Sequence, residues 1–236
     1  MPALDTCRHP DVLVLKTMFS ALNTAVESYL GTNICFVALV LDDIKSKTER
    51  SAQEGLQMLG LQQVLGTTQT GRAEVRAHMS SIRNATGGVA QVVLAVDYSA
   101  RWFNTGMYTL DGNRLVDPVL GFVDGLTIGT EPQLKAFETA LRNLSRNLPL
   151  NLRSPDQLLL YGDTAGDPEI LDIVDSVSGS ELRSNAYVSR SAFRGVAHVA
   201  QGAFEEMDTV DFEMTEPASF GCRWRSRLYD QEQVEL

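Results

Sequence analysis

Apolar residues recur at helical spacing from Val12 to Leu30, through Leu15, Met18, Phe19, Leu22, Val26 and Leu30, and Gly31 stands where that helix should stop. The pattern then changes. Ile34 to Leu41 is a continuous apolar run rich in β-branched and aromatic residues, as in a strand covered on both faces, and it ends in Asp42 and Asp43. Ser46 to Leu59 predicts a second helix, with Ser46 and Glu49 at capping-box spacing and Gly60 closing it. A short strand through Gln63, Val64 and Leu65 leads into the turn Gly66 to Gly71, a helix over Arg72–Ile82 and a break at Gly87-Gly88.

Ala90 to Val96 is a second buried strand, and Trp102–Leu110 and Arg114–Val119 predict a hairpin turned by Asp111-Gly112-Asn113. An amphipathic helix over Glu131–Leu148 carries Leu134, Phe137, Leu141 and Leu144, with Pro132 tolerated in its first turn. The third buried strand, Gln157–Tyr161, runs into Gly162 to Gly166, and Pro168 opens a helix to Val177. A last helix is expected over Ala186–Met207, followed by an acidic, solvated tail with a short strand before Arg223.

Strands alternating with helices make this an α/β chain, and 236 residues suffice for a substantial core. A net charge of −10 argues against a nucleic-acid partner, which needs a basic face. No apolar run approaches the ~18 residues that span a bilayer, and Met1 to Pro10 has no signal-type apolar core, so a cytoplasmic protein without a membrane partner is expected. Cys7, Cys35 and Cys222 are scattered, which suggests neither a disulfide framework nor zinc. His9, His78 and His198 lack ligand spacing, so no metal and no cofactor is expected.

The chemistry concentrates at Asp97-Tyr98-Ser99-Ala100-Arg101-Trp102, after a buried strand. A strand leading through an aspartate into glycines can lay backbone N–H groups against a phosphate. Here the aspartate remains and bulky residues occupy the glycine positions. Asp97 either holds a magnesium-bound water or acts as a general base, or else caps the local turn; Arg101 and Trp102 either form a binding surface for an anion or planar ligand, or Trp102 fills space between sheet and helix.

Four segments in order resemble the ATPase domain of the seventy-kilodalton heat-shock chaperones, of the actin-like ATPase superfamily. ESYLG (Glu27–Gly31) with ICFVALVLDD is similar to the chaperone helix ending A-E-x-Y-L-G and its next strand, and SKTERSAQEGLQMLGLQQVLG (Ser46–Gly66) to a stretch ending A-G-L-x-V-L-R. VVLAVDYSARWFNTGMYTLDGNRL (Val92–Leu115) resembles the strand and hairpin bearing D-L-G-G-G-T-F-D-V-S. QLLLYGDTAGDPEILDIV (Gln157–Val174) and SRSAFRGVAHVAQGAF (Ser189–Phe204) are similar to V-L-V-G-G-S-T-R-I-P and D-E-A-V-A-x-G-A-A.

The resemblance implies an actin-like (ribonuclease H-like) fold of two lobes with mixed sheets. A truncated first lobe would occupy residues 1–88, a second lobe with a returning helix 89–206 and an acidic tail 207–236. It also implies losses: the G-I-D-L-G-T-T hairpin and its lysine have no counterpart before the Y-L-G helix, and a single helix replaces the adenine-clamp subdomain. Gln69 aligns with a glutamate it cannot replace as a carboxylate, and Tyr161 with the first glycine of the adenosine motif, of which Gly162 survives beside Asp163 and Thr164. A cleft lined by Gln69, Asp97, Arg101, Trp102, Tyr161, Gly162, Asp163 and Thr164 is the expected ligand site, with Asp97 and Asp163 as the candidates for any catalysis.

Phosphoryl transfer rests on positioning and charge stabilisation at the phosphates, so hydrolysis is not expected. The first reading is a degenerate pseudo-ATPase that binds a protein partner or small ligand. Its alternative is a cofactor-free cyclase or isomerase reusing the shortened cleft for a small apolar substrate; a chaperone-like ATPase comes last. Missing elements should leave an open face that a second copy or a partner covers, so a homodimer is one expected form.

Overall fold

The helical period at the start of the sequence becomes α1, Pro10–Leu30, in the computed structural model. The structure describes residues 9–42, 44, 46–81, 91–100, 102–110, 116–126, 130–148, 154–189, 193–206, 212–214 and 224–226. Pro10 sits at the first helical position, where its missing N–H costs nothing, and His9 caps the end by accepting from the Asp11 N–H. Gly31 closes the helix in the left-handed region (φ 67°), donating its N–H to the Glu27 carbonyl at 2.8 Å. Two compact units follow: Met1–Thr68 with Ala200–Leu236, and Gln69–Val199.

In the first unit, the apolar run after α1 forms two short strands, β1 (Phe36–Val37) and β2 (Val40–Leu41), where one strand buried on both faces was expected. The cause is a change of partner. β1 pairs in parallel with β3 (Gln62–Gln63), whereas Leu39 turns its side chain into the core and its carbonyl accepts the N–H of Thr68, where β4 (Thr68–Gln69) begins. Helix α2, Ser46–Met58, makes the crossover between β1 and β3. Its Ala52 and Leu56 pack with Leu39 and Leu61, against Leu15 and Phe19 of α1. Gly55 permits that approach, because a Cβ there would lie 3.2 Å from the Lys16 backbone nitrogen.

Cys35, expected as an uncoupled thiol, is disulfide-bonded. Within the acidic C-terminal stretch, β10 (Phe212–Met214) and β11 (Trp224–Ser226) pair antiparallel, the second beginning just after Arg223.

The second unit begins with α3 (Thr70–Ser81) and is built on a five-stranded mixed sheet. Its strands are β5 (Gln91–Tyr98), β6 (Trp102–Leu110), β7 (Val116–Leu126), β8 (Gln157–Tyr161) and β9 (Ala186–Ser189), in the spatial order β7-β6-β5-β8-β9. β5, β6 and β7 form an antiparallel meander, while β5, β8 and β9 run parallel. Helix α4 (Thr130–Arg146) connects β7 to β8, and α5 (Pro168–Ser178) with α6 (Ser180–Ser184) connects β8 to β9.

Successive side chains of a strand face opposite ways, so each strand feeds two cores. Leu94, Val96, Leu158 and Leu160 meet Phe137, Leu141 and Leu144 of α4 and Ile170 and Val174 of α5. Val93, Ala95, Tyr108, Leu159 and Tyr161 face the other way, onto Val75 of α3. Both cores explain why β5 and β8 read as unbroken apolar runs.

The single helix expected over Ala186–Met207 is in fact β9 followed by α7, Arg194–Glu206. Tyr187 and Val188, aromatic and β-branched, extend the parallel ladder beside Leu159 and Leu160, and that pairing prevails over the helical spacing of the small residues further on.

Candidate functional site

β5 and β6 meet in a tight hairpin at the segment where a phosphate loop was expected. Tyr98 pairs with Phe103, and the Ser99 N–H donates to the Trp102 carbonyl at 3.0 Å. The outward carbonyl of Ser99 accepts from Gln133 Nε2 at 2.8 Å, and Gln133 is itself buried in the first turns of α4. Tyr98 turns its ring inward, edge-on to Phe137 at 5.1 Å. Burial, and then the nearby Asp167 and Glu169, push its phenol up from the ordinary range. The turn is thus closed by its own hydrogen bonds and anchored by an aromatic side chain.

The β8–α5 turn docks on the same hairpin. Thr164 donates both its N–H and its hydroxyl to the Tyr98 carbonyl, at 3.3 and 3.2 Å. Gly162 has φ 108°, and a Cβ there would stand 2.7 Å from Asp97 Oδ1, so the backbone itself fills the space beside the aspartate. Asp97, 1% exposed, lies in register with Asn104 on one side and Tyr161 on the other.

The structure therefore brings Asp97, Tyr161, Gly162 and Thr164 together as packed neighbours. Tyr161 belongs to the core under α3, Asp163 is exposed, and Trp102 is half-buried at the start of β6. Gln69 ends β4 and leads directly into α3. Arg101 lies outside the described residues, as does Asp43.

A second polar cluster went unread in the sequence, on the α3 face of the sheet. α3 runs from β7, where Arg72 Nε donates to the Val116 carbonyl, to β9, where the His78 ring sits 4.3 Å from that of Tyr187. Glu74, one turn before His78, is 1% exposed and accepts the N–H of Gly195 at 2.6 Å. Arg194 donates to the Tyr187 hydroxyl and covers its ring. Gly195 is required: a Cβ there would meet the Ala73 carbonyl carbon at 2.7 Å.

Burial pushes the Glu74 carboxyl up to about 7, against the opposing pull of the Gly195 N–H and the Arg194 guanidinium. Burial, and then Arg194, hold the His78 imidazole below its usual value. Both shifts favour the uncharged forms: the carboxyl holds its proton to higher pH than a free glutamate, and the imidazole gives its proton up at lower pH than a free histidine. The i, i+4 spacing of Glu74 and His78 was visible, but that the face is buried depends on β9, which pattern reading assigned to a helix.

Among the described residues no three His, Cys, Asp or Glu side chains gather as metal ligands, and no helix is long and apolar enough to cross a membrane. No protein-family model matches the chain, and no curated protein matches it. What the geometry defines is an α/β protein whose second unit closes the turn at the carboxyl ends of its central parallel strands.

Proposed function

We propose that this chain is a degenerate actin-like pseudo-ATPase, of the ribonuclease H-like kind, that binds a partner or small ligand without hydrolysing ATP. The strand order β7-β6-β5-β8-β9, with an antiparallel meander continued by parallel strands and helical crossovers, supports that ancestry. The hairpin resembling the second phosphate loop of the heat-shock chaperones supports it too.

The observation that carries the loss of hydrolysis is the closed turn at Asp97 to Trp102. An anion site at a strand end needs outward N–H groups and open backbone. Here the donors are spent on backbone carbonyls: the Ser99 N–H on Trp102, Gln133 Nε2 on Ser99, and the Thr164 N–H and hydroxyl on Tyr98. Gly162, the glycine that matches the adenosine motif in the opposing turn, is occupied in packing against Asp97. A triphosphate entering here would have to break these bonds and return buried groups to water, each costing about 1–3 kcal/mol.

Phosphate release from ATP with magnesium tests the reading. The expected rate equals that of the chain-free control; turnover proportional to chain concentration through successive purification steps would overturn it.

A further inference from the structure

Cys35 is disulfide-bonded, and the chain has two other cysteines, Cys7 and Cys222, both outside the described residues. Distance separates the two candidates. Cys35 follows the carboxyl end of α1: Gly31 closes that helix, and the Ile34 N–H donates to Glu27 Oε1 at 2.9 Å. Cys7 precedes the other end, two residues before His9. At about 1.5 Å per residue, His9 stands about 27 Å along the axis from Glu27. Two residues span about 7 Å, and the α-carbons of a disulfide stand at most ~7 Å apart, so Cys7 belongs to the wrong end of the helix. Cys222 belongs to the right neighbourhood. The Cys35 carbonyl accepts the Gln62 N–H at 2.8 Å, where β3 begins, and β11 lies against β3. Trp224, the first residue of β11, follows Cys222 by two positions.

We infer that Cys35 is bonded to Cys222, and that this bond is a redox-operated clasp fastening the β10–β11 hairpin to β3. The hairpin needs a fastening. Its strands are three residues each and, among the described residues, pair only with each other, whereas an isolated two-stranded hairpin is marginally stable at best in water. Cys35 and Cys222 both belong to the first unit, and all of Gln69–Val199 lies between them in sequence. The bond therefore closes a very long loop, whose ends would otherwise seldom meet in the unfolded chain.

Cys35 is half-buried, within reach of a small dithiol. Opening the clasp takes two electrons and two protons from such a reductant. One thiolate of the dithiol attacks a sulfur of the bond and displaces the other cysteine. The second thiol of the reductant then displaces the first cysteine, leaving Cys35 and Cys222 as thiols and the reductant as its own disulfide. The hairpin then loosens and uncovers β3. An oxidising compartment keeps the clasp shut, and a thiol-reducing one opens it. The clasp lies within the first unit and uses no residue of the closed turn, so it stands apart from the nucleotide question.

Mass spectrometry of the full chain, equilibrated with oxidised glutathione and digested with trypsin without reductant, reads the pairing. Cleavage after Lys16, Lys45, Arg194 and Arg223 places Cys35 in residues 17–45 and Cys222 in residues 195–223, and the two should appear as one linked mass. Cys35 found with any other partner, or as a free thiol, would overturn the inference. Amide exchange then reads the clasp. Dithiothreitol and, separately, Cys222→Ser should each speed exchange at Phe212–Met214 and Trp224–Ser226 at least tenfold while β5 and β8 stay protected, and Cys7→Ser should change neither result. Exchange in β10 and β11 that ignores reduction, or a reduction that speeds β5 and β8 equally, would also overturn it.

Discussion

Replacing Glu74 by Gln should raise the stability of the second unit, and by an amount that depends on pH. The carboxyl is 1% exposed, and burial lifts it from 4.5 to about 7. Because the folded value exceeds the unfolded one, the unfolded chain loses this proton first as pH rises. The contribution of Glu74 is therefore fully present below pH 4.5, declines between 4.5 and about 7, and is gone above that. A shift of this size corresponds to ~3 kcal/mol. Gln keeps the shape and a carbonyl oxygen for the Gly195 N–H, without a charge to desolvate. The variant should match the wild type near pH 4.5 and exceed it by ~3 kcal/mol at pH 8. His78 has the opposite sign: its lowered value costs stability as pH falls below 6.5, in both proteins alike, so it cancels in the difference. Urea unfolding across pH 4.5–8, followed by Trp102 fluorescence, measures that difference. A gap that does not change with pH, or a variant less stable than the wild type at pH 8, would refute the reasoning.

Gly195→Ala should destabilise the second unit by ~3 kcal/mol, because the new methyl meets the α3 backbone at Ala73 with no flexible side chain to yield; thermal unfolding would show it. Phe137→Ala should cost about 3–5 kcal/mol, since its fully buried ring holds both Tyr98 and Phe103; denaturant midpoints give the value. Gln133→Leu removes the donor to the Ser99 carbonyl and should raise amide exchange at the 98–103 hairpin while leaving β8 protected. Substituting glycine at Ser99, Ala100 and Arg101 together should not create ATP binding, because Thr164 and Gly162 still close the turn from the other side; equilibrium dialysis with labelled nucleotide checks this.

Where the chain makes its own local structure, the sequence was readable. β5 and β8 stood out because two cores demand unbroken apolar runs, and α5 because Pro168 opens it. Reading failed where distant partners decide. Ala186 to Ser189 has only Tyr187 and Val188 as strand formers and becomes β9 by pairing with β8, while Ile34 to Leu41 is split because β1 and β2 take different neighbours. The position of the hairpin at Asp97 was legible, but its closure was not, since the closing groups, Gln133 and Thr164, lie 34 and 66 residues away from the carbonyls they bind. Glu74 and Gly195 are 121 residues apart, and nothing local to either announces the contact. Likewise the apolar face of α1 looked like core from its period alone; only the position of α2 shows which half of it is covered.

Titration calorimetry of ATP with magnesium into the full chain tests the closed turn most directly. The account predicts heats indistinguishable from dilution up to millimolar nucleotide, because the Ser99, Gln133 and Thr164 bonds leave no cradle for phosphate. Saturable micromolar binding, displaced by ADP, would contradict it.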